Sequence, residues 1–548
     1  MKKLLFIVFF MLIASACQQK ENPVIFKIYD ETVELEAQQN HEKKRMQFKL
    51  IQSKYLDMNE VFKPFQEDLA YFSEENYQEL KPLILEQDIP TLQKSIKEGN
   101  LTYEKLTLFY LYRIRKFESD RTKSLHAIIA LNPNVVKEAR ARDKNRKSGF
   151  LSELSIYGMP ILLKDNINTK EMPTTAGAIA LQRNFTKSDA FIVERLKENG
   201  ALILGKVNLS EWAYFFCSAC PLGYSAIGGQ TLNPYGRKVF ETGGSSSGSA
   251  VAIAANYAVA AVGTETSGSI TSPASLNSVV GLKPTIGSLS RTGIVPISST
   301  LDTPGPMTKN VTDNLLMLIY MIGKDELDPA SLQLEEDAFF DDYDTSLSAK
   351  KMGVLKPLLS DSIYAATIKK IKRGGAEVIE IIPPEISYQG FRTLLNIDMK
   401  YDLPKYLKNN ADTSLYIKNV KDVIAFNRKD SLLRAPYGQQ LLEGILKDST
   451  KLQEFKMLKM ELLTNGLDFF KIMAYKNLDA VLSINNFHSG VAAIAEHPTL
   501  TIPMGYKKSG EPVSLTFIGI PFFEIKLLEI GYAFEQLTKV RKMPKNYQ

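Results

Sequence analysis

Cysteine, tryptophan and histidine are scarce in this chain of 548 residues, which holds three, one and four of them. Three cysteines cannot build the disulfide framework of a small secreted scaffold. The four histidines (His41, His126, His488, His497) fall outside any metal-ligand spacing, so no zinc site is expected. No basic tract is interleaved with aromatics, and the net charge of +6 is small for the length, so nucleic acid is not an expected partner. The Gly-Lys-Ser/Thr ending of a phosphate-binding loop is absent, as is the Lys-Thr-Gly triplet of the penicillin-binding type. Beyond residue 17 no apolar run approaches the ~20 residues of a membrane-spanning helix.

What is present begins with a leader. Lys2 and Lys3 form a positive start, Leu4 to Ile13 an apolar stretch, and Ala14-Ser15-Ala16 a small-residue cleavage site followed at once by Cys17. Residues 1–17 resemble a bacterial lipoprotein signal peptide, which implies a lipid on Cys17 and a mature protein anchored by it in the cell envelope, at the periplasm or outer membrane; a plain secretory signal or a short anchor helix is the alternative reading. The rest is 44% hydrophobic and 23% charged by whole-chain composition, an ordinary balance for a large core. Cys217 and Cys220, in Cys-Ser-Ala-Cys, are read either as a local disulfide or as two buried thiols.

Residues 18–85 are polar, charged and helix-prone, and read as a tether followed by helices lying against a main body. From residue 86 to 548 one large domain is expected, because no repeat and no linker divides it. Short β-rich runs (Pro160 to Leu163, Ala201 to Leu204, Val259 to Val262) alternate with helical stretches such as 190–200, an α/β pattern. The acidic stretch 327–344 reads as a solvated surface loop. Residues 350–357 and 374–381 read as strands and 389–475 as mainly helical. Strands return at 479–484, 498–505 and 513–521.

The chemistry concentrates between Thr242 and Thr285. Two loops of serine, glycine and small residues, Gly243–Ser249 and Thr266–Ser269, bracket an alanine-rich apolar run. Such loops let backbone amides crowd around a reacting group while hydroxyls enter the same space. Upstream, Lys164 follows the apolar run Met159 to Leu163, which would draw its ammonium inside the protein. Free lysine titrates near ~10.4 and must be desolvated to act as a base. Together these read as a serine hydrolase whose base is lysine rather than histidine. A Ser-His-Asp triad through His488 or His497 is the weaker alternative, since neither sits in a motif.

These stretches, with YGMPILLKDNI, MPTTAGA, GGQTLNPYG, VGTETSGSI and DTPGPMTKNVTD in this order and spacing, resemble the amidase signature family, and within it most closely the peptide amidases. The resemblance covers about residue 86 to the end. It implies an α/β fold: a single large amidase-signature domain with a mixed central β-sheet covered by helices on both faces. It also implies an amidase that hydrolyses a linear carboxamide, such as a C-terminal peptide amide, to acid and ammonia. Carried over by motif position, Lys164 is the base, Ser245 the bridging serine behind a cis Gly244–Ser245 bond, and Ser269 the nucleophile. The backbone amides of Thr266, Ser267, Gly268 and Ser269 would form the oxyanion hole. No metal or cofactor is implied, and the partner is a small amide or peptide-amide substrate.

Three departures bear on specificity. Thr271 stands where many relatives carry an arginine able to hold a carboxylate, so small anionic amides such as malonamate are expected to be poor substrates. Ser267 replaces a common glycine. The stretch 483–490 departs from the usual Ala-Pro-rich loop. Trp212, Tyr214 and Phe215 are candidates for either the pocket or the core. The competing readings are a non-catalytic binding lipoprotein on the same scaffold and the amidase subunit of a tRNA-dependent amidotransferase, which the export signal opposes.

Overall fold

Apolar runs of four to eight residues bounded by glycine, proline or asparagine become strands here, and the alternation of strand and helix sets their stacking. The computed structural model describes residues 23–146, 152–333 and 346–548. The leader 1–17 with Cys17, and most of the acidic stretch 327–344, lie outside the described residues. In chain order the strands are β1 (Ile128–Leu131), β2 (Pro160–Lys164), β3 (Leu202–Val207), β4 (Tyr224–Ser225), β5 (Gly229–Gln230), β6 (Ala260–Glu265) and β7 (Val280–Lys283). Then come β8 (Thr303–Thr308), β9 (Lys351–Leu355), β10 (Glu377–Ile381), β11 (Ala480–Ile484), β12 (Thr499–Tyr506) and β13 (Pro512–Ile518).

Eleven of them form one mixed sheet in the order β1-β3-β2-β6-β8-β7-β12-β13-β11-β9-β10, while β4 and β5 make a separate hairpin. β3, β2 and β6 run parallel at its heart, and β8, β7, β12 and β13 continue antiparallel. Every residue of β2, β3 and β6 is buried, as expected for parallel strands covered on both faces. Between β2 and β3 the helix Phe191–Glu198 buries Ile192, Val193 and Leu196 and ends at Asn199-Gly200. Gly200 is left-handed, and a Cβ there would collide with the Tyr157 ring. The helix Ser247–Ala254 is buried at every position, which its Ser, Gly and Ala content permits.

A second apolar cluster lies apart from the sheet. Helices Phe391–Asn409, Val420–Arg428, Gln440–Lys447 and Leu452–Lys476 close over the segments 176–181, 212–220 and 295–301. Trp212 and Phe215 belong to this cluster at 2% and 4% exposure, so they are core rather than open pocket lining. Cys217 and Cys220 in the same cluster are joined as a disulfide.

The N-terminal stretch carries helices Thr32–Gln39, Met58–Phe62, Gln66–Ala70 and Glu74–Ile84. Phe48, Ile51, Phe65, Leu69 and Tyr77 are buried in the main core. Between the first two helices the chain crosses the body: the Ile51 carbonyl accepts the Gln230 N–H at 2.8 Å, Ser53 Oγ donates to Ile227 O at 2.6 Å, and the Lys49 N–H donates to Tyr437 Oη at 2.7 Å. The acidic stretch is not wholly solvated where it is described. Asp328, expected on the surface, is 5% exposed and accepts Arg291 Nε at 2.9 Å.

Candidate active site

Lys164 is the last residue of β2 and is fully buried. Burial strips the hydration of its ammonium and brings its pKa down to about 7, although the Asp302 and Glu265 carboxylates pull the other way. Its Nζ has three partners: Ser245 Oγ at 2.7 Å, Thr264 Oγ1 at 2.8 Å and Thr264 O at 3.0 Å. Thr264 lies on β6, the parallel neighbour of β2, and Asn166 Nδ2 donates to its hydroxyl at 3.0 Å. A neutral amine has two N–H donors and one lone pair. The two oxygens of Thr264 can take both donors, which leaves the lone pair facing Ser245.

The two serine-rich loops meet at that point. The Gly244–Ser245 peptide is cis. Ser245 O accepts the Ser210 N–H at 3.0 Å, and the Ser246 N–H donates to Ser269 O at 3.0 Å. Ser246 Oγ donates to Thr264 O at 3.0 Å. Lys164 and Ser245 are sealed from solvent, whereas Ser269 keeps 8% exposure and its hydroxyl has no hydrogen-bond partner among the described residues. The array therefore runs from a buried amine, through a buried hydroxyl, to a loop whose hydroxyl is free.

Glu265 shapes the loop that carries Ser269. Its Oε1 accepts the Gly268 N–H at 2.7 Å, and its Oε2 accepts the N–H groups of Ile270 (2.7 Å) and Thr271 (2.9 Å) and the Thr271 hydroxyl (3.0 Å). This corrects one expectation: the Gly268 amide is turned back onto Glu265 and is not free to bind an oxyanion. The amides of Thr266, Ser267 and Ser269 have no partner among the described residues. Thr266 Oγ1 donates to Asp302 Oδ1 at 2.6 Å, while Asp302 Oδ2 accepts the Ile297 and Ser298 N–H groups at 2.8 and 2.9 Å. Burial pushes the Asp302 carboxyl up to about 6.

Thr264, Asn166, Glu265 and Asp302 were not singled out from the sequence. Glu265 carried a signal, a lone acid directly between a buried strand and the Thr-Ser-Gly-Ser loop, whereas Asp302 arrives from 37 residues further on with none. The histidines stay apart. His488 Nδ1 pairs with buried Ser483 Oγ at 2.6 Å on β11, and His497 Nδ1 pairs with Gly519 O at 2.6 Å, its pKa lowered to about 4 by burial. Neither joins the Lys164 cluster.

A mixed sheet with a buried lysine between two serine loops is an amide-hydrolase arrangement, and the amidase family model matches residues 105–528. The chain belongs to the amidase signature family, hydrolases that act on amide C–N bonds. Among solved structures it is similar to an amidase family protein from Bacillus anthracis str. Ames, 37% identical with a TM-score of 0.85, covering 90% of this chain and 99% of the other. The peptide amidase of Stenotrophomonas maltophilia is 38% identical with a TM-score of 0.78, covering 84% and 98%. An Arabidopsis thaliana protein named as a probable amidase is 37% identical over 485 residues, 84% of this chain and 92% of its own length.

Proposed function

We propose that this chain is an envelope amidase, lipid-anchored at Cys17, that hydrolyses C-terminal peptide amides through a Ser269 acyl-enzyme. The observation that carries the chemistry is the 2.7 Å contact between the buried Lys164 amine and Ser245 Oγ. Neutral Lys164 takes the Ser245 proton as Ser245 takes that of Ser269, and Ser269 Oγ bonds to the amide carbonyl carbon. The amides of Thr266, Ser267 and Ser269 receive the oxyanion, each such donor being worth ~3 kcal/mol. Ser245 returns the proton to the leaving nitrogen, the C–N bond breaks and ammonia departs. Water then attacks the ester by the reverse relay, giving the acid and free Ser269.

Similarity to a peptide amidase supports the substrate class, and the sequence of residues 1–17 supports the anchor. The test is ammonia release from peptide amides, aliphatic amides and aryl amides. Release confined to peptide amides and abolished in Lys164→Ala and Ser269→Ala is expected. Release from simple amides alone would overturn the substrate class, and Ser269→Ala retaining turnover would overturn the mechanism. Metabolic labelling with a radioactive fatty acid, lost in Cys17→Ala, tests the anchor.

A further inference from the structure

We infer that Asn486 reads the substrate, its carboxamide pairing with the peptide group next to the scissile amide. The inference rests on the peptide-amide reading and specifies the residue that enforces it. β11 ends at Ile484, and the chain turns back through Asn485, which is left-handed at φ 46°. Asn485 fixes the turn to β13 through its N–H, its carbonyl and its side-chain oxygen. Its N–H donates to Ser514 O at 2.9 Å, its Oδ1 accepts the Ser514 N–H at 2.8 Å, and its carbonyl accepts the Thr516 hydroxyl. The turn then closes on itself, because the Asn486 carbonyl accepts both the N–H and the hydroxyl of Ser489, at 3.1 and 2.9 Å.

The side chain of Asn486 takes no part in this. It is half-buried and has no hydrogen-bond partner among the described residues. Its position is set by Gly268, the residue before Ser269. A Cβ on Gly268 would lie 2.9 Å from Ser489 Oγ and 3.4 Å from Asn486 Nδ2, so the turn packs directly onto the nucleophile loop. Its amide reaches solvent with its donors and acceptor uncommitted, so it can bond an incoming group without breaking an internal bond, and one mounted on a fixed turn beside the Ser269 loop is a preorganised contact.

The chemistry of that contact is specific. A carboxamide offers two donors and an acceptor, matching the C=O and N–H that a peptide amide carries one residue before its terminal carboxamide. A simple aliphatic amide has no such group. Apolar flanks are also present: Phe487 is 62% exposed beside Asn486, and the Tyr388 ring lies against Gly490.

The experiment compares full-length wild type, Asn486→Ala and Asn486→Asp for inhibition by a tripeptide aldehyde and by an alkyl aldehyde of similar size. Turnover of a peptide amide and a simple amide is followed alongside. Both variants are expected to bind the tripeptide aldehyde about tenfold more weakly while the alkyl aldehyde is unaffected. Equal weakening of both aldehydes would make the turn a mere support for Gly268 and overturn the proposal, as would no weakening of either. Asp keeps the shape of Asn, so it answers if the Ala variant fails to fold. Asn486-dependent binding of the tripeptide aldehyde without turnover of peptide amides would overturn the substrate class and leave the Asn486 contact standing. Turnover of peptide amides indifferent to Asn486 would do the reverse. Failure of the wild type both to bind the tripeptide aldehyde and to turn over peptide amides would overturn both.

Discussion

Thr264 contacts Lys164 twice, through its carbonyl and its hydroxyl, so one residue on β6 decides which way the amine of β2 presents its lone pair. Replacing Thr264 by the isosteric valine removes one of the two acceptors and frees the amine to rotate. A fall of about a hundredfold in kcat/KM is expected, the usual scale for a misplaced catalytic group. The ammonium also loses an acceptor, so the apparent pKa should drop below that of the wild type in the pH–rate profile.

Lys164 sits at about 7 in the folded protein, against an ordinary lysine value of 10.5. Above that pH the amine is neutral and able to accept a proton, and below it the lone pair is occupied. kcat/KM should therefore be flat above pH ~7.5 and fall about tenfold per pH unit below ~6.5, a slope set by single protonation. A profile flat down to pH 5 would show that the base is another group.

Glu265→Gln keeps one acceptor but turns an NH2 toward backbone N–H groups that need a carboxylate oxygen. Charge-assisted bonds are worth roughly 1.5–3 kcal/mol each. A lower Tm and a loss of at least about a hundredfold in kcat are expected, since the same bonds shape the loop carrying Ser269. Removing the negative charge should also lower the apparent pKa of Lys164, because Glu265 raises it.

Thr271 is 1% exposed, and its hydroxyl reaches Glu265 Oε2 and Thr499 Oγ1 at 3.0 and 3.2 Å. It presents no cation to a substrate carboxylate. Malonamate should be turned over at least about tenfold more slowly than a neutral amide of equal length, the cost of one missing charge-assisted contact. Competitive turnover measured by ammonia release checks this, and a preference for malonamate would overturn it.

Deleting residues 23–85 removes Phe48, Ile51, Phe65, Leu69 and Tyr77 from the main core. Each buried large apolar side chain contributes ~1.5–3 kcal/mol. The shortened chain should fail to fold cooperatively in a thermal melt; a soluble, active enzyme starting at residue 86 would show that this stretch is dispensable.

The legible parts of the fold were those with unambiguous local patterns. The runs at 160–163, 201–204 and 259–262 appear as β2, β3 and β6, and the helical stretch 389–475 as four long helices and a short one. β8 was not foreseen, because Pro304 and Pro306 argue against a strand; it nevertheless pairs with both β6 and β7. β1 and β7, four residues each, are too short to stand out. In the site, serine and lysine were visible because their motifs are contiguous. Asp302 could not be, since only the chain crossing brings it to residue 266, and Asn486 was visible only as part of the departing stretch 483–490, its place beside Gly268 being set by the fold. The free amide expected at Gly268 was missed for the same reason, for it depends on how the Glu265 side chain folds back.

The strand order also governs how this protein must be made. Lys164, Ser245 and Ser269 and the strands around them come from one continuous third of the chain, yet β7 finds its outer neighbour only in β12, with Lys283 opposite Thr499. At ribosomal speeds of about 5–20 residues per second, the roughly two hundred residues between them take some 10–40 s to appear. Through that interval the central sheet has an open hydrogen-bonding edge, the feature most prone to pair with the wrong chain. The half of the sheet that carries the site is thus closed only by strands made near the end of synthesis, and the finished fold leaves that edge covered.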